Sequence, residues 1–310
     1  MSEDLRARAA EYLALRRVMG YQPCDQEWLI REFLDHLESE HASTISVSRA
    51  LIWACLPQGA TPRWRHRRLA VIRLFAAHVH ACDPQAAELI PAGMLPARVE
   101  RAIPYIYTAT QIADLARRAR ALRPVLRGHT LATIIGLMAA TGMRTGEAVA
   151  LNTTSIDNAR STILVIGKGG TQRLLPVHAT TLMALTSYLE TSRTTLGPPH
   201  DDALFLGPRA SRALANSIQI AFRAVAQDSP LPRGSGNRAP RLHDLRHTFA
   251  VNTLIDAHRD GVGVQARIAA LSTYLGHVSP ADTYWYLTAS PELLHLVSDR
   301  LENYRRQDLP

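Results

Sequence analysis

The stretch Ile163 to Pro176, ILVIGKGGTQRLLP, sets two apolar runs on either side of a glycine-rich turn, in a chain otherwise patterned for helices. That arrangement predicts a β-hairpin, with Gly169 and Gly170 supplying the positive φ of the turn. The tip also holds Lys168, the only lysine in a 310-residue chain that has 34 arginines. A preference for arginine codons accounts for the 34 and not for the exception. A Walker-type phosphate loop is excluded, since Thr162 stands where it needs a glycine and Gly169 where it needs Ser or Thr.

Outward from the hairpin, the chain is long enough for two domains with separate cores. The opening MSEDLRARAAEYLALRR has no apolar run after a basic one, so neither a signal peptide nor a membrane-spanning helix is expected there. Cys24, Cys55 and Cys82 stand far apart with no CxxC pair, which suggests reduced thiols in the cytoplasm and argues against a zinc site or a disulfide frame. The net charge of +8 suits a polyanionic partner, although solubility alone explains it equally well. Residues 1–104 carry 13 basic and 12 acidic side chains, whereas 105–310 carry 22 and 15.

The first segment reads as helices, with Tyr12, Leu15 and Met19 on one face and Trp28, Phe33 and Leu37 on another, followed by a third run from Ser46. In TPRWRHRRLAVIRLF, Arg63, Arg65, Arg67, Arg68 and Arg73 cluster around Trp64, either to track a nucleic-acid backbone or as a solvated basic face. His78, His80 and Cys82 follow a helical run and read as helix-surface residues rather than ligands. Prolines and a lost period mark a linker over about 90–104. Thr108 and Gln111 then fit a capping box that opens the second segment, with the boundary near residue 105. The expected fold is mainly α with a small β-hairpin or sheet, in two domains.

Three further stretches hold residues suited to chemistry. In LHDLRHTF, His243 and Arg246 share a helical face with His247 beside them, while Leu242, Leu245 and Phe249 line the face for burial. In ATGMRTGEAVAL, Gly142 ends one helix and Arg144 begins the next, where a guanidinium and free N–H groups favour an anion. Glu147, one turn on, is placed to fix that guanidinium, and a surface ion pair is the plainer reading. In LSTYLGHVSPADTYWYLTAS, His277 follows a glycine turn, and Ser279 with Pro280 can open a helix holding Tyr284, Trp285 and Tyr286. Tyr284 and Tyr286 lie about 200° apart on that helix, so they cannot both face one site.

Taken in order, TGMRTGEAVAL, GKGG, HDLRH and LGH resemble the tyrosine recombinases, also called phage integrases. The resemblance covers roughly residues 105–310 and implies a catalytic domain there, with a C-terminal helix at 290–304. It implies a helical DNA (core)-binding domain over 1–104. On this basis Arg144 and Arg246 are expected to clamp a scissile phosphate, Lys168 to protonate the leaving oxygen, and His243 and His277 to hydrogen-bond the phosphate, with His243 a possible proton acceptor. The family's tyrosine commonly follows the LGH histidine by nine residues, which selects Tyr286 as nucleophile and leaves Tyr284 for packing. The chain departs from common members in YLTAS, which lacks the histidine often found two residues after the tyrosine.

The implied function is site-specific DNA recombination, in integration, excision or transposition, through a 3′-phosphotyrosine and without metal, ATP or other cofactor. DNA contacts are expected from Arg63, Arg65, Arg67, Arg68, Arg173 and Arg241. The implied partners are double-stranded DNA and further copies in a tetramer, with sister recombinases or accessory DNA-bending proteins and no membrane. A cytoplasmic, nucleoid-associated protein of a bacterial mobile element is expected. PELLHLVSDRLENY, with Leu293, Leu294, Leu296, Val297 and Leu301, suits docking on a neighbouring subunit or packing on its own domain. A type IB topoisomerase and a non-catalytic DNA-binding regulator of the same fold remain as alternatives.

Overall fold

A computed structural model describes the chain except residues 1, 22–23, 97–102, 198–200, 235–236, 261–263, 278, 280–282, 287–297 and 299–310; at 2–3, 24–25, 168 and 264 it describes the backbone alone. The proposed C-terminal helix at 290–304 therefore lies outside the described residues, save Ser298. The chain forms two compact units, Met1–Arg101 and Ala102–Pro310. No helix among the described residues is long and apolar enough to cross a membrane.

The first unit is built of α1 (Ser2–Val18), α2 (Cys24–Ser39), α3 (Val47–Cys55) and α4 (Pro62–Cys82). Ser46 caps α3 by accepting from the Arg49 N–H, and Thr61 caps α4 by accepting from that of Trp64, with Pro62 at the first helical position. The core joins Leu29, Ile30, Phe33 and Leu37 of α2 to Trp53 of α3 and Ile72, Phe75 and Val79 of α4. The face expected of α1 is only partly the buried one. Leu5, Ala9, Tyr12 and Leu13 are inside, whereas Leu15 and Met19 are exposed, as is Trp28 of α2.

Arg68 corrects its expectation as a DNA contact. It is 2% exposed, with its guanidinium 3.7 Å from the centre of the Trp53 ring, its Nη1 2.8 Å from Glu32 and its Nη2 donating to the Trp53 carbonyl. A cation so enclosed is committed to packing this unit. Arg63 and Arg67 are exposed at the start of α4, and Arg65 is half-buried.

The second unit is mainly helical with one small sheet. Its described elements are α5 (Ala109–Arg120), α6 (Val125–Thr141), α7 (Thr145–Ala150), β1 (Ile156–Asp157), β2 (Thr162–Ile166), β3 (Gln172–Pro176), α8 (Ala179–Leu196), α9 (Ala215–Gln227), α10 (Asp244–Arg259) and α11 (Val264–Leu275). The capping box opens α5: the Thr108 hydroxyl accepts from the Gln111 N–H, and the Gln111 side chain accepts from that of Thr108.

The strands form an antiparallel sheet in the order β1-β2-β3, with Ile163 opposite Leu175 and Val165 opposite Arg173. Ile163, Val165 and Leu175 face the core, while Ile166 and Leu174 face out, as the two-residue period of a strand requires. A short 3₁₀ turn, Lys168–Gly170, closes the hairpin with φ of +79° at Gly169 and +81° at Gly170. The main core runs through α6, the sheet and α9, and a second cluster joins Val251 and Leu254 of α10 to Leu271 and Leu275 of α11 and to Tyr286.

Candidate active site

Gly142 sets the geometry from which the site is built. It ends α6 in the left-handed conformation, φ +62°, and a Cβ there would lie 2.5 Å from Phe249 Cδ1 and 2.8 Å from Leu275 Cδ2. Only glycine meets both demands, so α6 can turn sharply against α10 and α11. The Gly142 carbonyl accepts from Arg246 Nη1 at 2.8 Å, and Arg246 Nη2 donates to the Leu275 carbonyl at 2.9 Å. Arg246 thus ties the α6–α7 corner to the end of α11. Expected on an open helix face, it is instead 1% exposed. Burial first, and then the charge of Arg144, pull its pKa down to about 10. A cation held by carbonyls beside a second cation is stabilised by an incoming anion.

Arg144 occupies the N-cap of α7 and stays partly open to solvent. Its Nη1 meets Glu147 Oε1 at 2.8 Å and its backbone N–H donates to Oε2 at 2.9 Å, so Glu147 fixes both chain and side chain. The carboxylate is shared. Arg173, on β3, donates Nη2 to Oε2 at 2.8 Å and Nη1 to Oε1 at 3.1 Å, while its Nε donates to the Tyr274 carbonyl. Burial alone would raise the Glu147 pKa, but the bonds from Arg173 and Arg144 prevail and bring it to about 2.

This arrangement corrects the expectation that Arg173 binds DNA. Its guanidinium is spent on Glu147 and the end of α11, joining the Lys168 hairpin to the Arg144 corner. The pair lies under Gly167, where a Cβ would sit 3.7 Å from Arg173 Nη1 and 3.9 Å from Glu147 Oε1. The backbone of Lys168 follows directly, and its side chain lies outside the described residues. Arg241 is ion-paired with the buried Asp244 at 2.9 Å yet remains largely exposed.

Near Arg246 stand three imidazoles and a phenol. His243 precedes α10, and its ring stands nearly perpendicular to that of His247, with centroids 4.9 Å apart. His243 is open to solvent on one side, and the protein crowding its other side, then Arg246, lower its pKa. His277 follows the Gly276 turn, and its Nδ1 lies 2.7 Å from the buried Thr283 hydroxyl. Residues Thr283–Tyr286 are helical. Tyr286 is 3% exposed, stacks on His277 at 6.1 Å and brings its hydroxyl within 3.3 Å of His247 Nδ1. Tyr284 is 50% exposed, which overturns its expected role in packing. The tyrosine that points inward is the one beside the histidines.

His247 and Thr283 were not among the expected site residues. His247 follows His243 by four, a spacing that puts both on one helical face and was available as a signal. Thr283 offered none.

Residues 108–292 match the phage integrase family. The provisionally named integrase/recombinase y4rB of Sinorhizobium fredii (strain NBRC 101917 / NGR234) is 35% identical over 304 residues, 96% of each chain. The fold is similar to that of the XerH site-specific recombinase bound to a palindromic difH substrate in a post-cleavage complex: TM-score 0.65, 16% identity, 89% of this chain and 78% of that one. It is also similar to a lambda integrase tetramer bound to a Holliday junction, with TM-score 0.60, 15% identity and coverage of 92% and 76%. The chain belongs to the phage integrase family. It is a tyrosine recombinase, an enzyme of site-specific DNA recombination.

Proposed function

We propose that this recombinase cuts and rejoins double-stranded DNA through a 3′-phosphotyrosine on Tyr286. The observation that carries the reading is the burial of Tyr286, its ring against His277 and its hydroxyl 3.3 Å from His247 Nδ1, close enough to Arg246 for the two to interact electrostatically. Attack on a phosphodiester builds negative charge on the non-bridging oxygens. Arg246, held rigidly by two carbonyls, and Arg144, held by Glu147, are preorganised to receive it, and removing one such donor typically costs about 10²–10³-fold in rate. His243 and His277 add hydrogen bonds to the phosphate.

As the P–O5′ bond breaks, Lys168 at the hairpin tip gives its proton to the leaving oxygen. Arginine cannot serve there, because its pKa above ~12 keeps the proton in place, whereas lysine near ~10.4 can be lowered by neighbouring cations. The covalent intermediate keeps the bond energy, so a second DNA end can reverse the step without ATP.

The first unit serves in this reading as the DNA (core)-binding domain, with Arg63, Arg65 and Arg67 on the backbone and Arg241 adding to the catalytic domain. The working form is a tetramer of this chain on paired sites in the cytoplasm, with or without sister recombinases and DNA-bending proteins. Transposition or integration of a mobile element is the setting that such chemistry fits. The test is a nicked suicide substrate drawn from DNA flanking the gene: a covalent protein–DNA adduct with a free 5′-hydroxyl strand is expected, and a 5′-linked adduct or metal-dependent hydrolysis would overturn the reading.

A further inference from the structure

A phenol with a pKa near ~10 is almost wholly protonated at neutral pH, so a tyrosine that attacks phosphorus must hand its proton to something in reach. Several polar groups of the site cannot take it. Arg144, Arg173 and Arg246 are donors only. Glu147 has both oxygens engaged by Arg144 and Arg173 and is held ionised by them as a very weak base. Of the imidazoles, His277 lies face to face with the Tyr286 ring, at an interplanar angle of 22°, and its Nδ1 is bonded to Thr283. The His243 ring stands against that of His247, nearly perpendicular to it at 4.9 Å.

His247 stands differently. Its Nδ1 lies 3.3 Å from the Tyr286 hydroxyl, close to the reach that proton transfer needs. The ring is confined by His243 at 4.9 Å, Trp285 at 5.4 Å and Tyr286 at 5.5 Å, so its orientation is set by packing. We propose that His247 is a catalytic residue of strand cleavage: its Nδ1 accepts the Tyr286 proton as the phenolic oxygen forms its bond to phosphorus.

The step balances without a further reactant. The Tyr286 O–H proton passes to Nδ1, the O–P bond forms, the P–O5′ bond breaks, and the 5′ oxygen takes its proton from Lys168. Ligation returns each proton by the same route. Before DNA arrives His247 is neutral, because burial, then His243 and the cations Arg241 and Arg246, hold its pKa down to about 3. A scissile phosphate offsets those cations and then stabilises the imidazolium, so the base strengthens when substrate is bound. Before that, the site is not charged by protonation.

The inference rests on Tyr286 being the nucleophile, and the experiment separates the two. Single-turnover adduct formation on a nicked suicide substrate is measured for the full-length chain and for Tyr286→Phe, His247→Ala and His247→Gln, with DNA binding followed by gel shift. Proton transfer by a positioned base is typically worth about 10²–10⁴-fold. His247→Ala and His247→Gln are expected to bind DNA as the parent does and to form adduct at least about 10²-fold more slowly. Added imidazole is expected to restore part of the rate in His247→Ala. A sulfur in place of the 5′ leaving oxygen should not help, since that end of the reaction is intact.

Wild-type rates in His247→Gln would overturn the proposal, because glutamine can hold the hydroxyl without taking its proton. So would rates within about threefold of the parent in His247→Ala, or full recovery with the sulfur substrate. If His247→Ala misfolds and loses DNA binding, His247→Gln, closer in size, decides the matter. Adduct surviving in Tyr286→Phe would instead remove the nucleophile assignment. Absence of adduct there with fast His247 variants would remove only the role of His247.

Discussion

Replacing Glu147 by glutamine removes a carboxylate that holds Arg144 and Arg173 together. Its size can be approached from two directions. The ordinary carboxyl value is 4.5 and that of Glu147 is about 2, a difference equivalent to about 3 kcal/mol of folding free energy when the group is ionised. Breaking a buried ion pair by deleting one partner costs about 3–5 kcal/mol. Glutamine can still accept one bond, so the lower figure is the better expectation.

The sign follows from the depressed value. The contribution is complete above 4.5 and disappears as the pH falls toward 2. Native-state hydrogen exchange over α7 and β3 would measure the opening free energy of the segments that carry Arg144 and Arg173. The account predicts a loss of about 3 kcal/mol in Glu147→Gln at neutral pH and a loss that narrows in acid. A variant within about 1 kcal/mol of the parent at neutral pH, or an unchanged acid dependence, would refute the reasoning.

Three other perturbations have definite expected outcomes. Gly142→Ala should destabilise the second unit and slow adduct formation, because its Cβ would meet Phe249 and Leu275 at under 3 Å in a left-handed backbone; thermal unfolding and a suicide-substrate assay check this, and unchanged values would contradict it. Lys168→Arg should cleave slowly and recover when sulfur replaces the 5′ leaving oxygen, whereas no recovery would exclude proton donation. Arg68→Ala should destabilise the first unit while leaving the salt dependence of DNA binding as it was, whereas Arg63→Ala should reduce that slope by about one. A changed slope in Arg68→Ala would place that side chain on DNA after all.

What the sequence revealed was whatever depends on near neighbours. The Thr108 capping box, the break at Gly142, the hairpin with Gly169 and Gly170 and the bond between Arg144 and Glu147 all join residues within a few positions, so spacing alone discloses them. The fates of the arginines were illegible for the opposite reason. Arg68 finds Glu32 from 36 positions away and Arg173 finds Glu147 from 26, and only the packed chain decides which cations are taken inside. The two tyrosines show the same limit. Periodicity puts Tyr284 and Tyr286 on different faces without saying which face meets the histidines, and the family spacing, not the helix, selects Tyr286, the ring that is buried beside them. The α1 segment shows it again, since Leu15 and Met19, the latter just past the end of the helix, fit its period yet remain outside the core.

The proposed cleavage chemistry depends on the Tyr286 hydroxyl, which lies 3.3 Å from His247 Nδ1, so the most direct measurement is covalent capture of DNA by single-tyrosine variants. On a nicked suicide substrate, Tyr286→Phe should give no denaturant-stable protein–DNA adduct while binding DNA normally, and Tyr284→Phe, altering a half-exposed ring, should give adduct like the parent. Adduct formed by Tyr286→Phe, or lost in Tyr284→Phe with binding intact, would contradict the account.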